Sequence, residues 1–190
     1  MTSKRGLQIG VLLVTLGLLA WGVTIGLERL AGPAADTSVA PAAPAQPTAH
    51  ITATLFYAAA DGQGLLPVRR EVVLAEGVVA QGREILVAQL APPPDGQRSA
   101  IPPGTQLRAF YVTDKGDAFV DLSREVATAH PGGSLNELLT VYAIVNAVTA
   151  NLPAVQRVQL LIDGKEVDTI AGHVDVRRPL VRDATLVREQ

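Results

Sequence analysis

The sequence predicts an α+β domain, in which an antiparallel or mixed sheet packs against two helices, and which is preceded by one transmembrane helix. Three observations lead to this prediction. Hairpin signals outnumber crossover units in the domain, one long segment has apolar residues at helical spacing, and an uncharged apolar run lies near the N-terminus. Domains commonly hold about 100 to 150 residues. A chain of 190 residues with a non-globular first part therefore has room for one domain.

The apolar run extends from Leu7 to Leu27 without a charged residue. About 20 apolar residues are needed to cross the hydrocarbon of a bilayer as a helix. Lys4 and Arg5 precede the run, and basic residues favour the cytoplasmic side. We therefore predict residues 1–6 in the cytoplasm, a single-pass helix over 7–27 in the inner membrane, and an extracytoplasmic, periplasmic domain. A cleaved signal peptide is the alternative, because small residues follow the run.

The segment 28–50 contains four prolines among alanines and almost no apolar bulk. Such a composition cannot recover its ordering entropy and favours extended conformations. We expect a semi-stiff tether here, then a domain over 51–181 and a C-terminal tail over 182–190.

The first part of the domain alternates strand and turn signals. Apolar and hydroxyl side chains alternate over Ile51–Tyr57, and β-rich runs recur later. The expected strands are Ile51–Tyr57, Leu66–Leu74, Leu107–Thr113 and Ala118–Leu122, with a helix over Gln81–Leu90. In the last of these strands, alternation predicts that Val120 faces the core and Asp121 faces out.

The second part of the domain carries the clearest local signals. Ser134 and Glu137 have the spacing of a capping box at the start of a helix over Leu135–Leu152. Asp163-Gly164 then separates two β-rich runs and predicts a tight type I′ hairpin. The strands expected after the helix are Arg157–Ile162, Lys165–Ile170 and a final one near His173–Val181.

Composition excludes several functions. The chain has 16 basic and 18 acidic side chains and a formal charge of −2, so no positive field would gather phosphate backbones and nucleic acid is not expected as a partner. It has no cysteine, which removes disulfides, thiolate nucleophiles, iron–sulfur ligation and a lipid-modified cysteine. Aromatic residues make up 4% of the chain, which leaves little stacking surface.

Side chains that could carry chemistry are few and scattered. A zinc site needs about three or four converging ligands. The chain has three histidines, at 50, 130 and 173, of which only His173 has a nearby partner, Asp175, at strand spacing. We expect these histidines to be buried or bonded in turns, and we predict no metal and no cofactor. Ser99, Ser123 and Ser134 lie in no nucleophile-elbow motif, and no glycine motif for phosphate is present.

Two carboxylate pairs remain as an enzymatic hypothesis. Asp121 with Glu125, or Asp163 with Glu166, could act on a glycosidic bond of the cell wall. Because each pair lies near a turn, solvated charges are the preferred interpretation. No catalytic residue is predicted.

Several segments, taken in order, resemble the GerMN module of the spore germination and sporulation protein GerM. They are TLFY at 54–57, IPPGT at 101–105, AFVDLS at 118–123, VYAIVNAVTANLPAV at 141–155 and VQLLIDGKEVDTIAGHVDVRRPL at 158–180. The resemblance implies an extracytoplasmic, non-enzymatic α+β domain similar to the ring-building modules of proteins that assemble between two membranes. The chain departs from the family pattern by carrying one module, no lipobox cysteine and a transmembrane anchor.

From these observations we expect a non-catalytic protein-interaction or assembly module of the cell envelope, related to sporulation or germination. Its expected partners are an envelope protein or further copies of itself. Recognition of peptidoglycan or another envelope glycan is the alternative, and an envelope hydrolase that uses Asp121 or Glu125 is the third hypothesis.

Overall fold

A computed structural model of the chain describes residues 49–188. The predicted transmembrane helix at 7–27 and nearly all of the predicted tether lie outside these residues. Within 49–188, every helix is too short or too polar to cross a membrane.

Six strands and three helices make up the described part of the chain. They are β1 His50–Ala58, β2 Leu65–Val73, α1 Val78–Leu90, β3 Leu107–Val112, β4 Asp117–Leu122, α2 Glu125–Thr128, α3 Ser134–Asn151, β5 Arg157–Ile162 and β6 Lys165–Glu166. The predicted α+β class is confirmed. Helix α1 begins three residues before the predicted start.

The strands form two sheets rather than the single sheet expected. Strands β1 and β2 pair antiparallel by themselves, and the second sheet has the order β3-β4-β5-β6. In that sheet β3 and β6 are antiparallel to their neighbours, whereas β4 and β5 are parallel. The predicted mixed pairing is therefore present. Helices α2 and α3 make the crossover that a parallel pair requires.

Side-chain amides close the free edge of β1, which explains why the first sheet stops there. The Asn151 amide of α3 accepts the Thr54 N–H at 2.8 Å and donates to the Thr54 carbonyl at 2.7 Å. The Gln89 amide of α1 does the same for Phe56, at 2.8 Å in both directions. A primary amide offers the donor and acceptor that a neighbouring strand would offer. Both helices are thereby tied to β1.

The core lies between the helices and the sheets. Val120 and Leu122 of β4 are fully buried, as alternation predicts, and so is Ile144 of α3. Helix α1 packs closely on β3 at Gly82, where an added Cβ atom would overlap the Phe110 ring.

The last hairpin has the predicted turn but a shorter second strand. Asp163 and Gly164 have φ values of 50° and 76°, as a type I′ turn requires. Strand β6 then ends at Glu166, and the predicted final strand near 173–181 is wrong, since this segment makes only one isolated bridge, from Leu180 to Val158.

Residues 183–188 extend the domain beyond the predicted boundary at 181. The Asn146 amide donates to the Asp183 carbonyl at 2.8 Å and accepts the Asp183 N–H at 3.0 Å. Leu65 donates its N–H to the Leu186 carbonyl and accepts the Arg188 N–H, each at 2.8 Å. The segment thus lies beside the start of β2.

Candidate functional site

Glu137, in the first turn of α3, is a carboxylate that accepts several hydrogen bonds from a distant loop. Its side chain is fully buried. Oε1 accepts the N–H groups of Ile170 at 2.8 Å and Ala171 at 2.9 Å, and Oε2 accepts the N–H of His173 at 2.8 Å. One carboxylate therefore pins the loop that follows β6 to the start of the central helix.

This arrangement corrects the predicted capping box. Ser134 is exposed, the N-cap position is taken by Gly133 at φ 89°, and no side chain makes the capping bond. Glu137 reaches the loop at 170–173 instead of the start of its own helix. These bonds hold residues 170–173 against α3, beyond the end of β6 at Glu166.

The electrostatics of Glu137 favour its charged form. Burial alone would raise the pKa of this carboxyl group, but the combined N–H groups of the loop outweigh burial and lower the pKa. A carboxylate held ionised in this way accepts hydrogen bonds and has no proton to donate. Glu137 therefore has a structural role, which is to hold the loop after β6 against α3.

Two of the three histidines, His130 and His173, are bonded in turns or loops as expected, whereas His50 is exposed at the start of β1. The His173 Nδ1 atom lies 3.2 Å from Glu137 Oε2, whereas Asp175 pairs with Arg177 at 2.6 Å, so the suggested pairing of His173 with Asp175 does not form. The Arg177 guanidinium holds the pKa of Asp175 far below its usual range. His130 bonds Gly132 and Thr140, and no cluster of three or more potential metal ligands occurs within 49–188.

The prediction that Asp121 faces solvent is wrong. Alternation does place it on the face opposite Val120, but only 7% of the residue is exposed. It accepts the Gly164 N–H at 2.7 Å and the Arg108 Nε–H at 3.2 Å, so the β5–β6 turn and a guanidinium cover it. Asp121 therefore holds the last hairpin against β4.

The other residues of the carboxylate hypothesis are also engaged or exposed. Asp163 pairs with Arg108 at 3.5 Å and Arg124 at 3.3 Å, and Glu166 is exposed. A hydrogen bond from the Ser123 hydroxyl lowers the pKa of Glu125. A lowered pKa does not suit Glu125 to the role of general acid.

A cavity of about 520 Å³ opens between the end of α1 and the loop that leads into β3. Its walls are largely proline and aliphatic: Leu90, Pro92, Pro93, Ile101, Pro102 and Pro103. The hydroxyl groups that line it are already used, because Ser99 Oγ donates to the Ile101 carbonyl at 2.9 Å and Thr105 Oγ1 donates to the Pro102 carbonyl at 2.8 Å. No charged side chain of the described residues lines this cavity.

The accessible surface includes large apolar side chains that the fold does not use. Tyr111 is 60% exposed and lies across from Phe119 on the face of the sheet opposite Phe110. Val87 of α1 is 54% exposed. Sequence reasoning missed these residues, because alternation assigns a strand residue to a face but does not say whether another element covers that face.

Comparison with known proteins gives a family. The model of the Germane family, described as "Sporulation and spore germination", matches residues 54–168, from β1 to just beyond β6. No curated protein matches.

Solved structures share the fold. The tandem GerMN domains of the sporulation protein GerM from Bacillus subtilis align with a TM-score of 0.55 and 16% identity over 70% of this chain and 46% of that chain. The first GerMN domain alone aligns with a TM-score of 0.52 and 18% identity over 70% and 98%. A candidate lipoprotein of Clostridium perfringens gives 0.51 and 22% over 71% and 89%. The chain belongs to the Germane family of sporulation and spore germination, and its described domain is a GerMN domain.

Proposed function

We propose that the chain is a membrane-anchored, extracytoplasmic protein-interaction or assembly module of the cell envelope, without catalytic activity, that serves sporulation or germination. The family supports the sporulation context. The uncharged run over 7–27 and the basic residues before it support the anchor and its orientation.

One observation carries the non-catalytic part of the proposal. Among the described residues, every buried side-chain nitrogen or oxygen atom has a hydrogen-bond partner. A catalytic site commonly holds groups whose pKa is shifted toward proton transfer at a cleft. Here Glu137 and Asp121, the buried carboxylates, are bonded to loop backbone. Both carboxylates therefore serve to fix the positions of loops in the fold.

The exposed apolar side chains support the interaction part. Aromatic residues are enriched at the centres of protein interfaces, where they bury large areas with few rotatable bonds. Tyr111 is the most exposed large apolar side chain within 49–188. We take the Tyr111 face of the mixed sheet as the surface at which a partner protein or a second copy binds.

A photocrosslinking amino acid at position 111 of the full-length chain, expressed in its own host, tests the proposal. The matched control is the same substitution at Arg178, which is exposed and polar. We expect a defined adduct with a protein, or with another copy of the chain, from position 111 and not from position 178. Equal and diffuse labelling from both positions would contradict an interaction at this face.

Two further measurements separate the alternatives. Sedimentation of the full-length chain with purified cell wall is expected to leave it in the supernatant, and saturable binding that a Tyr111→Ala substitution abolishes would favour the glycan hypothesis instead.

Alkaline extraction is expected to leave the full-length chain with the membrane. Release under that treatment would contradict the anchor.

A further inference from the structure

The histidine before α3 is held in one protonation state by its hydrogen bonds. His130 Nδ1 accepts the Gly132 N–H at 2.9 Å, and Nε2 lies 3.2 Å from Thr140 Oγ1. A backbone N–H can only donate, so Nδ1 must carry a lone pair. The ring is therefore neutral, with its proton on Nε2, which donates to Thr140 Oγ1.

This ring links two segments to the central helix. Thr140 Oγ1 donates to the Ala100 carbonyl at 2.6 Å, so His130 and the loop before β3 meet at the same hydroxyl group. On the other side, Gly132 and Gly133 have φ values of 80° and 89°, a region that only glycine enters easily. The turn between His130 and α3 thus contains two glycines at positive φ. Its carbonyl groups are bonded to α3, since Gly132 accepts Asn136 Nδ2–H at 2.8 Å and Gly133 accepts the Glu137 N–H at 3.0 Å. The N–H of Gly132 is bonded to the titratable ring.

We propose that residues 129–133 form a proton-sensitive lock: protonation of His130 at Nδ1 removes the bond from the Gly132 N–H and loosens the turn at its His130 end, while the bonds of Gly132 and Gly133 to α3 remain. The protonated ring has two N–H donors, and the Gly132 N–H then has no acceptor. Nothing in the assembly role requires such a lock, so this inference goes beyond the proposed function.

The charged and titratable groups that face His130 are Glu137 of α3 and His173 of the loop after β6. Burial has the largest effect and lowers the pKa of His130, and the nearby His173 lowers it further. The charge of Glu137 and the backbone of Asn136 raise it, but the pKa remains lowered. An unfolded histidine has a pKa of about 6.5. Since the folded pKa is lower, the stability that the lock contributes is complete above about pH 6.5 and is lost as the pH falls through the folded pKa.

Hydrogen exchange of the full-length chain in detergent, corrected for the intrinsic rate at each pH, tests the lock. Between neutral pH and the low end of the histidine range, we expect the peptide around Gly132 to lose about tenfold in protection, the effect of one ordinary hydrogen bond. His130→Asn places a non-titrating acceptor near the position of Nδ1, so its protection should not change with pH. His130→Ala should be unprotected at both pH values, and His50→Asn, exposed at the start of β1, should behave as the wild type. Equal pH dependence in the wild type and His130→Asn would overturn the proposal.

A second measurement needs no substitution in the turn. With ¹⁵N-labelled histidine the chain has three imidazole rings, each with two nitrogen signals, and His50→Asn and His173→Asn assign them. We expect the Nδ1 of His130 to show the shift of an unprotonated nitrogen at neutral pH and to protonate at a lower pH than an unfolded histidine does. A proton on Nδ1 at neutral pH would overturn the proposal.

Discussion

Replacement of Glu137 by glutamine isolates the bonds that pin the loop after β6. The carboxylate accepts three backbone N–H groups, two on Oε1 and one on Oε2. An amide keeps one of these oxygens and turns the other into an NH₂ group that cannot accept. At least one buried N–H group then loses its acceptor, which costs about 1–3 kcal/mol of the free energy of unfolding. Alanine removes all three bonds and should cost about 3–5 kcal/mol.

Urea unfolding of the full-length chain, followed by circular dichroism, measures these losses, and their pH dependence gives a second test. The folded pKa of Glu137 is lowered, whereas an unfolded glutamate titrates at about 4.3. The stability from its charge is therefore complete above about pH 4.3 and is lost as the pH falls through the folded pKa. The gap between the wild type and Glu137→Gln should shrink in that acid range.

The matched control is Glu166→Gln, because Glu166 is an exposed glutamate of β6. A surface substitution of this kind is expected to change the free energy of unfolding by less than about 0.5 kcal/mol. If Glu137→Gln costs no more than Glu166→Gln, or if the gap to the wild type does not change with acidification, the Glu137 carboxylate does not hold the loop after β6 against α3.

Three further predictions test other parts of the domain. Gln89→Met should leave the Phe56 N–H and carbonyl unpaired at the edge of β1 and cost about 2–4 kcal/mol in urea unfolding; a cost below about 1 kcal/mol would contradict the edge assignment. Gly82→Ala should cost about 1–3 kcal/mol in urea unfolding, because its Cβ would overlap the Phe110 ring, and Phe110→Leu in the same chain should recover part of that loss. Glu125→Gln should leave the melting temperature unchanged, and a wall-degrading activity that this substitution abolishes would support the hydrolase hypothesis instead.

The regular secondary-structure elements could be predicted because their sequence signals are local. Strand alternation located β1 and β4, and the apolar spacing of α3 ends where Pro153 follows, so their bounds agree with the structure within a few residues. The Asp163-Gly164 turn was predicted correctly because positive φ at both positions is a property of those two residues. The capping-box prediction was wrong, because the Glu137 oxygens accept backbone N–H groups of a loop more than thirty residues away.

The polar contacts at the edge of β1 could not be predicted for the same reason. Gln89 bonds Phe56 across 33 residues and Asn151 bonds Thr54 across 97. In the sequence, each is one polar residue on an apolar helix, a pattern that solvent exposure would explain equally well. Only the packing of both helices along β1 shows that these amides stand in place of a third strand.

Two strand edges of the domain are blocked, which limits the ways in which a partner can bind. An open edge invites another chain to add a strand, and proteins block this with bulges, charges and side-chain caps. Strand β1 is closed by two amides. Strand β3 is short, and its register shifts between Leu107 and Ala109, which places a bulge and the charged Arg108 on the outer strand. Strand addition is thus disfavoured at both, and side-chain contact at Tyr111 is the mode that we expect the crosslinking experiment to find.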